Sequence, residues 1–158
     1  MFRKISILGL AGVLVLVGGG LTMAFAGNNI TQPETLVLTE TTLKSRFVDL
    51  GKPGPGPGDS FLFIDSLTDP ADGSRVGTVR GQCTVQIGHW QTCQVGGFLD
   101  GRGEIFVSGV APSTEQPTPL DFAITGGTGE FENVRGSVHL EPDLNNEAES
   151  TLTLTLIP

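Results

Sequence analysis

The chain has 158 residues, with 17 acidic side chains against 9 basic ones and a formal charge of −8. That balance disfavours nucleic acid and anionic membrane surfaces as partners, because both repel an acidic protein. Its two histidines and two cysteines are too few and too scattered for a metal centre, and neither a metal nor a cofactor is expected.

At the N-terminus, Arg3 and Lys4 precede a 13-residue apolar run, Ile5 to Val17, and Ala24-Phe25-Ala26 gives a small-x-small cleavage pattern before Gly27. This is the build of a secretory signal peptide spanning residues 1–26. Gly18, Gly19 and Gly20 interrupt the apolar run, which falls short of the ~20 residues a membrane-spanning helix requires. The protein is therefore expected to be extracellular, with no membrane contact after cleavage. Without Arg3 and Lys4, residues 27–158 carry 7 basic and 17 acidic side chains, a charge of −10 on 132 residues. That length suits one domain with a single core.

The rest of the chain alternates apolar and polar residues with the period of a β-strand. Leu36 and Leu38 open a first strand, which Phe47 to Leu50 either extend or follow as a second short piece. The segment from Lys52 to Asp59, KPGPGPGD, lacks backbone donors and side-chain packing, so it predicts a surface loop over 52–58. SFLFIDSLTD places Phe61, Phe63, Asp65 and Leu67 on one face and Leu62, Ile64 and Ser66 on the other. Both faces are apolar enough to be covered, and the second suggests packing against a neighbour. Gly77 to Ile87 and Trp90 to Leu99 predict a hairpin about Gly88, with Val79, Cys83 and Val85 facing the same side as Cys93, Val95 and Leu99. Asp100-Gly101 signals a further hairpin before Gly103 to Val110. At the C-terminus, Leu152, Leu154 and Leu156 alternate with threonines.

In the middle of this pattern lies Phe122 to Gly136, FAITGGTGEFENVRG, in which two alternating runs are joined by a corner rich in glycine. About eight short strands with no helical period predict an all-β protein, an eight-stranded antiparallel up-and-down barrel. Such a barrel leaves an interior that is either filled by side chains or holds one small ligand. The sequence GGTGEFENVRG resembles the GG-T/A-G-x-F-x-x-x-x-G signature of the allene oxide cyclase and dirigent protein superfamily. That resemblance implies the same barrel over about residues 35–157, a hydrophobic small molecule as partner, and a homo-oligomer, most simply a trimer.

The cysteines admit two readings. A turn centred on residue 88 sets Cys83 directly opposite Cys93, which fits a disulfide in an oxidising exterior. By resemblance, VGTVRGQCTVQIGH is similar to the allene oxide cyclase strand that puts a cysteine in the cavity, which implies a catalytic Cys83 if its thiol is free. Asp65 then matches that family's cavity asparagine. The family's Glu-x-Asn pair in the first strand is missing, and Glu40 alone stands there among threonines.

The dirigent branch implies a catalytic set instead, with Asp65, Glu130 and Arg135 at its acid and base positions. An aspartate between Phe61 and Phe63 on one side and Leu67 on the other loses water, so its pKa should rise toward that of a general acid. Phe61, Phe63, Val79, Val85, Val95 and Leu99 are the candidate ligand-binding residues. The sequence thus suggests a secreted isomerase- or cyclase-like barrel that confines a reactive hydrophobic intermediate. The alternative is a non-catalytic barrel that binds a hydrophobic ligand or serves a structural role.

Overall fold

Eight alternating segments become eight strands, each with one face turned inward. In a computed structural model that describes residues 29–113 and 117–158, these are β1 (Glu34–Val48), β2 (Ser60–Thr68), β3 (Arg75–Val85), β4 (Trp90–Leu99), β5 (Gly103–Pro112), β6 (Leu120–Gly127), β7 (Arg135–Pro142) and β8 (Glu149–Ile157). The signal-peptide segment, 1–26, lies outside the described residues. Consecutive strands pair antiparallel around a closed barrel, and β8 returns to β1 through Leu38↔Leu152 and its neighbours. Closure pairs every strand on both sides and removes the exposed edges on which sheets aggregate. Leu152, Leu154 and Leu156 all point inward and are buried, as their alternation with threonine predicts.

One end of the barrel is sealed. The GGTGEFENVRG corner forms a short 3-10 turn, Gly129–Phe131, which drops Phe131 into the barrel with no exposed surface; Ile105, Val134 and Leu156 surround it at 2% exposure or less. Burying such a ring contributes about 1.5 to 3 kcal/mol. Gly136, with φ +136°, lies so close to the Thr155 carbonyl that no Cβ fits, which is why β7 needs glycine there. Arg102, in the β4–β5 turn, fastens this end. It donates to Glu34 at 3.0 Å and to Glu130 at 2.8 Å, and its guanidinium lies 4.9 Å from the centre of the Phe131 ring. The Ile30 amide adds a strap across the corner by donating to the Glu130 carbonyl at 2.9 Å.

The opposite end stays open. β1 pairs with β8 only as far as Thr41, and after a register shift between Thr42 and Lys44 it continues along β2 to Val48. The PG-rich loop follows, held by the fully buried Asp59, whose carboxylate accepts from the Leu50 amide at 2.7 Å and from the Gly56 amide at 2.6 Å. Reciprocal backbone bonds of Gly58 and Asp59 with Val85 pin the loop to the upper end of β3. Plugged below and open above, the barrel keeps its free volume in the upper and middle layers.

Candidate functional site

The barrel interior encloses a cavity of about 240 Å³. Its walls are built by matching large residues to glycines on the adjacent strand. The Phe63 ring occupies the place a Cβ would take at Gly81, and the Phe122 ring does the same at Gly109. The aromatic rings therefore lie along the wall and leave the lumen free. Phe61, Phe63, Val79, Val95 and Leu99 line this space. Val85, the remaining apolar candidate, does not: its backbone is engaged by the PG-rich loop at the mouth. Trp90 and Phe98 are half exposed and lie outside the lining.

Cys83 and Cys93 are directly opposite in the β3–β4 register and are joined in a disulfide. Both are buried and both line the cavity. The bond leaves no free thiol at position 83, so the condition attached to a catalytic Cys83 is not met.

Glu40 is the ionisable residue of the lining. It follows Leu36 and Leu38 on the inward face of β1 and stands opposite Leu67 in the register. Burial pushes its carboxyl up to about 8, and the charge of Asp65 and the hydrogen bond between the two carboxyls add to the rise. Asp65 lies one layer higher, opposite Thr42, and is only 3% exposed. Its pKa is raised too: burial is the largest cause, opposed by hydrogen bonds from Glu40 and Thr42 that favour the charged form. Both shifts favour retention of a proton by the pair of carboxyls at neutral pH. The Asp65 Oδ1 atom is buried with no hydrogen-bond partner.

Sequence reasoning placed the acid at Asp65; the structure sets Glu40 beside it, so the raised acid is a pair of carboxyls. The signal was the inward period of Leu36, Leu38 and Glu40, which continues one step further than the apolar residues do. Glu130 and Arg135 are placed elsewhere, outside the cavity lining. Glu130 is bound to Arg102 at the sealed end, and Arg135 donates to the carbonyls of Asn133 and Val134. No cluster of metal-ligating side chains occurs among the described residues.

The chain is a closed eight-stranded antiparallel barrel with an apolar lumen and a raised carboxyl in its wall. Solved structures with the same fold align with it. A pyocyanin demethylase is 32% identical, with a TM-score of 0.66 over 78% of this chain and 100% of its own. The chain belongs to the same protein family as that demethylase. The Diels-Alderase AbmU from Streptomyces koyangensis shares the fold at 21% identity, with a TM-score of 0.65 over 78% of this chain and 63% of its own. So does the pterocarpan synthase dirigent protein PsPTS1, at 19% identity and a TM-score of 0.59 over 80% of this chain and 94% of its own. No family model matches the sequence, and neither does any curated protein.

Proposed function

We propose that this barrel is an enzyme that confines one apolar small molecule and exchanges a proton with it through Glu40. The observation that carries the reading is the raised carboxyl of Glu40 inside an otherwise apolar cavity. A neutral carboxylic acid at pH 7 donates a hydrogen bond or a proton to an oxygen or nitrogen on the ligand edge, and its pKa of about 8 lies near the optimum for general catalysis at that pH. Asp65 acts through Glu40 as a positioning residue: its carboxylate accepts the Glu40 proton and fixes the direction in which that proton is offered. The apolar walls exclude water and hold the ligand in one conformation, which removes an entropic part of the barrier.

The family member at 32% identity is named for demethylating pyocyanin, and the more distant barrels for cycloaddition and pterocarpan synthesis. These names support an organic small molecule as substrate and isomerase- or cyclase-like confinement as the general mode. Export is proposed as well, supported by the signal-peptide pattern and by the Cys83–Cys93 disulfide, which persists in oxidising compartments. Homo-oligomerisation, as a trimer, is supported by apolar residues on the outer face, among them Leu62 and Phe106 at 37% and 41% exposure.

Native mass spectrometry of the protein from its own host, followed by incubation of the released molecule with wild-type and Glu40→Gln protein, tests the reading. A bound organic molecule that wild type converts and Glu40→Gln only binds is the expected result. Unchanged conversion by Glu40→Gln overturns the role of Glu40, and binding without conversion by either protein makes the barrel a carrier.

A further inference from the structure

Up-and-down pairing puts the β1–β2, β3–β4 and β7–β8 connections at the open end of the barrel. Large apolar side chains stand bare on one lip of it. Leu43, the extra residue at the β1 bulge, Leu50, just before the PG-rich loop, and Ile87, in the β3–β4 turn, are each 58% exposed or more, and Trp90 at the start of β4 is 50% exposed. Beyond Thr41, β1 has left β8, and residues 42–47 are exposed on both faces. The backbone bonds of Gly58 and Asp59 to Val85 hold the β1–β2 connection against the end of β3, which gathers these side chains on a single side of the mouth.

The same lip is basic. A charge of −10 on residues 27–158 opposes an anionic surface for the molecule as a whole, but the distribution of that charge does not. Of the seven Lys and Arg in these residues, Lys44, Arg46, Lys52 and Arg80 belong to this side; all four are exposed, and none forms an ion pair among the described residues. Lys44 and Arg46 stand opposite Ile64 and Leu62 in the register, and Arg80 flanks Ile64 from β3. Strands β2, β3 and β4 hold one carboxylate, the buried Asp65, and the β1–β2 connection adds the exposed Asp49 and the buried Asp59. Glu141, Asp143, Glu147 and Glu149 gather instead at the β7–β8 connection.

We infer that this lip docks on an anionic lipid surface. Leu43, Leu50, Ile87 and Trp90 enter the boundary between headgroups and acyl chains, and the four basic side chains meet the phosphates. Apolar tips alone suit many partners. Unpaired cations beside them select a negative one, and a tryptophan with aliphatic tips set among Lys and Arg matches the layered order of a bilayer surface. The acidic β7–β8 connection tips away, and the mouth of the lumen turns toward the bilayer. This inference goes beyond the proposed function and stands without it.

Trp90 is the single tryptophan of the chain, so its fluorescence reports on the lip alone. Protein verified by mass to begin after residue 26 is floated with vesicles of phosphatidylcholine, or of phosphatidylcholine with about one third phosphatidylglycerol. Wild type should float with the anionic vesicles, with Trp90 emission shifted to the blue and quenched by lipids brominated in their acyl chains. Phosphatidylcholine alone should bind at least about tenfold more weakly, and about 0.5 M salt should release most of the protein. Lys44→Gln/Arg46→Gln should weaken binding by about tenfold or more, and Leu50→Ser/Ile87→Ser should abolish the blue shift. Arg75→Gln, which removes a positive charge at the sealed end, should bind as wild type does. All these positions are exposed, so the variants should melt with wild type. Absence of flotation with anionic vesicles, equal weakening by Arg75→Gln, or binding that leaves Trp90 unshifted overturns the inference. Self-association in sedimentation that Leu50→Ser/Ile87→Ser abolishes, with no vesicle binding, overturns it in favour of an interface between copies of this chain. None of these results bears on the lumen as a ligand site.

Discussion

Replacing Glu40 with glutamine tests the proton assignment through stability, before any substrate is known. Glutamine keeps the shape and a donor group toward Asp65 but cannot ionise. In the unfolded chain Glu40 titrates at its ordinary 4.5, and in the barrel at about 8. Below pH 4.5 the side chain is protonated in both states and the full stability is present. Between 4.5 and about 8 the unfolded state gives up the proton while the folded state keeps it, so stability falls as pH rises, and above 8 the loss is complete. A rise of this size at about 1.4 kcal/mol per unit corresponds to about 3 to 5 kcal/mol, the lower figure applying where water enters the open mouth once Glu40 ionises.

Urea denaturation at intervals from pH 5 to pH 9 reads this directly. Wild type should lose stability steadily across the window, while Glu40→Gln should be nearly flat and should exceed wild type at pH 8.5. Two other groups work in the same direction: Asp65, also raised by burial, begins to lose its contribution above its ordinary 3.8, and His139 is the second. His139, on the outer surface, has its pKa raised chiefly by the hydrogen bond to Asp121, so its contribution is present below its ordinary 6.5 and is lost above its folded value. Because that pair is exposed, moderate salt and an Asp121→Asn control separate it from the Glu40 effect. A wild-type protein equally stable at pH 5.5 and 8.5, or a Glu40→Gln variant with the wild-type slope, would refute the buried neutral carboxyl.

Peptide mapping without reductant should recover Cys83 and Cys93 as one linked pair, and Cys83→Ser/Cys93→Ser should cost about 2 to 3 kcal/mol for opening a loop of 10 residues' separation; free thiols in the native protein would contradict it. Phe131→Ala removes a fully buried plug and should destabilise by about 3 to 5 kcal/mol in chemical denaturation, and a loss below about 1 kcal/mol would mean that the sealed end repacks without it. Arg102→Ala breaks two partly exposed ion pairs and one cation–π contact, so a loss of about 1 to 2 kcal/mol is expected with binding of the molecule released from the native protein unchanged; altered binding would mean that the sealed end communicates with the cavity.

The barrel was legible because period-2 alternation is a local signal: Leu152, Leu154 and Leu156 point inward for the same reason that the threonines between them point out. The disulfide was legible because a hairpin turn centred on residue 88 pairs positions 83 and 93 by arithmetic alone. The site was only partly so. Asp65 was found through its apolar neighbours on β2, but Glu40 lies on β1, and only the register of the β1–β2 pair, across the long PG-rich loop, brings the two carboxyls together. Glu130 was drawn to Arg102 by a contact across 28 residues, and Arg135 to the carbonyls next to it, and neither pairing has a periodic signal. Val85 shares the inward parity of Cys83 but stands at the end of β3 beside the PG-rich loop, outside the lining. Parity fixes the face a side chain takes, and only tertiary structure fixes the height at which the cavity ends.

The two ends of the barrel then differ in a way that bears on function. At the sealed end Arg102 satisfies both Glu34 and Glu130, and the pairs stay near water. In the barrel wall the lining carboxyl of Glu40 lies beside the buried carboxyl of Asp65, with no ion pair to either among the described residues; both are raised by burial, and one oxygen of Asp65 has no partner. A pair of leucines at these positions would continue the pattern set by Leu36, Leu38 and Leu67 and would avoid the desolvation of both groups, and replacing buried ionic groups by packed apolar ones is often stabilising. Elsewhere in the lining, Gly97 lacks a side chain where a Cβ would meet nothing closer than 3.9 Å. Both departures lower stability, and Glu40 and Gly97 line the same cavity. Local rules broken together in one place, inside a scaffold that obeys them elsewhere, mark the part of the molecule shaped by what it binds.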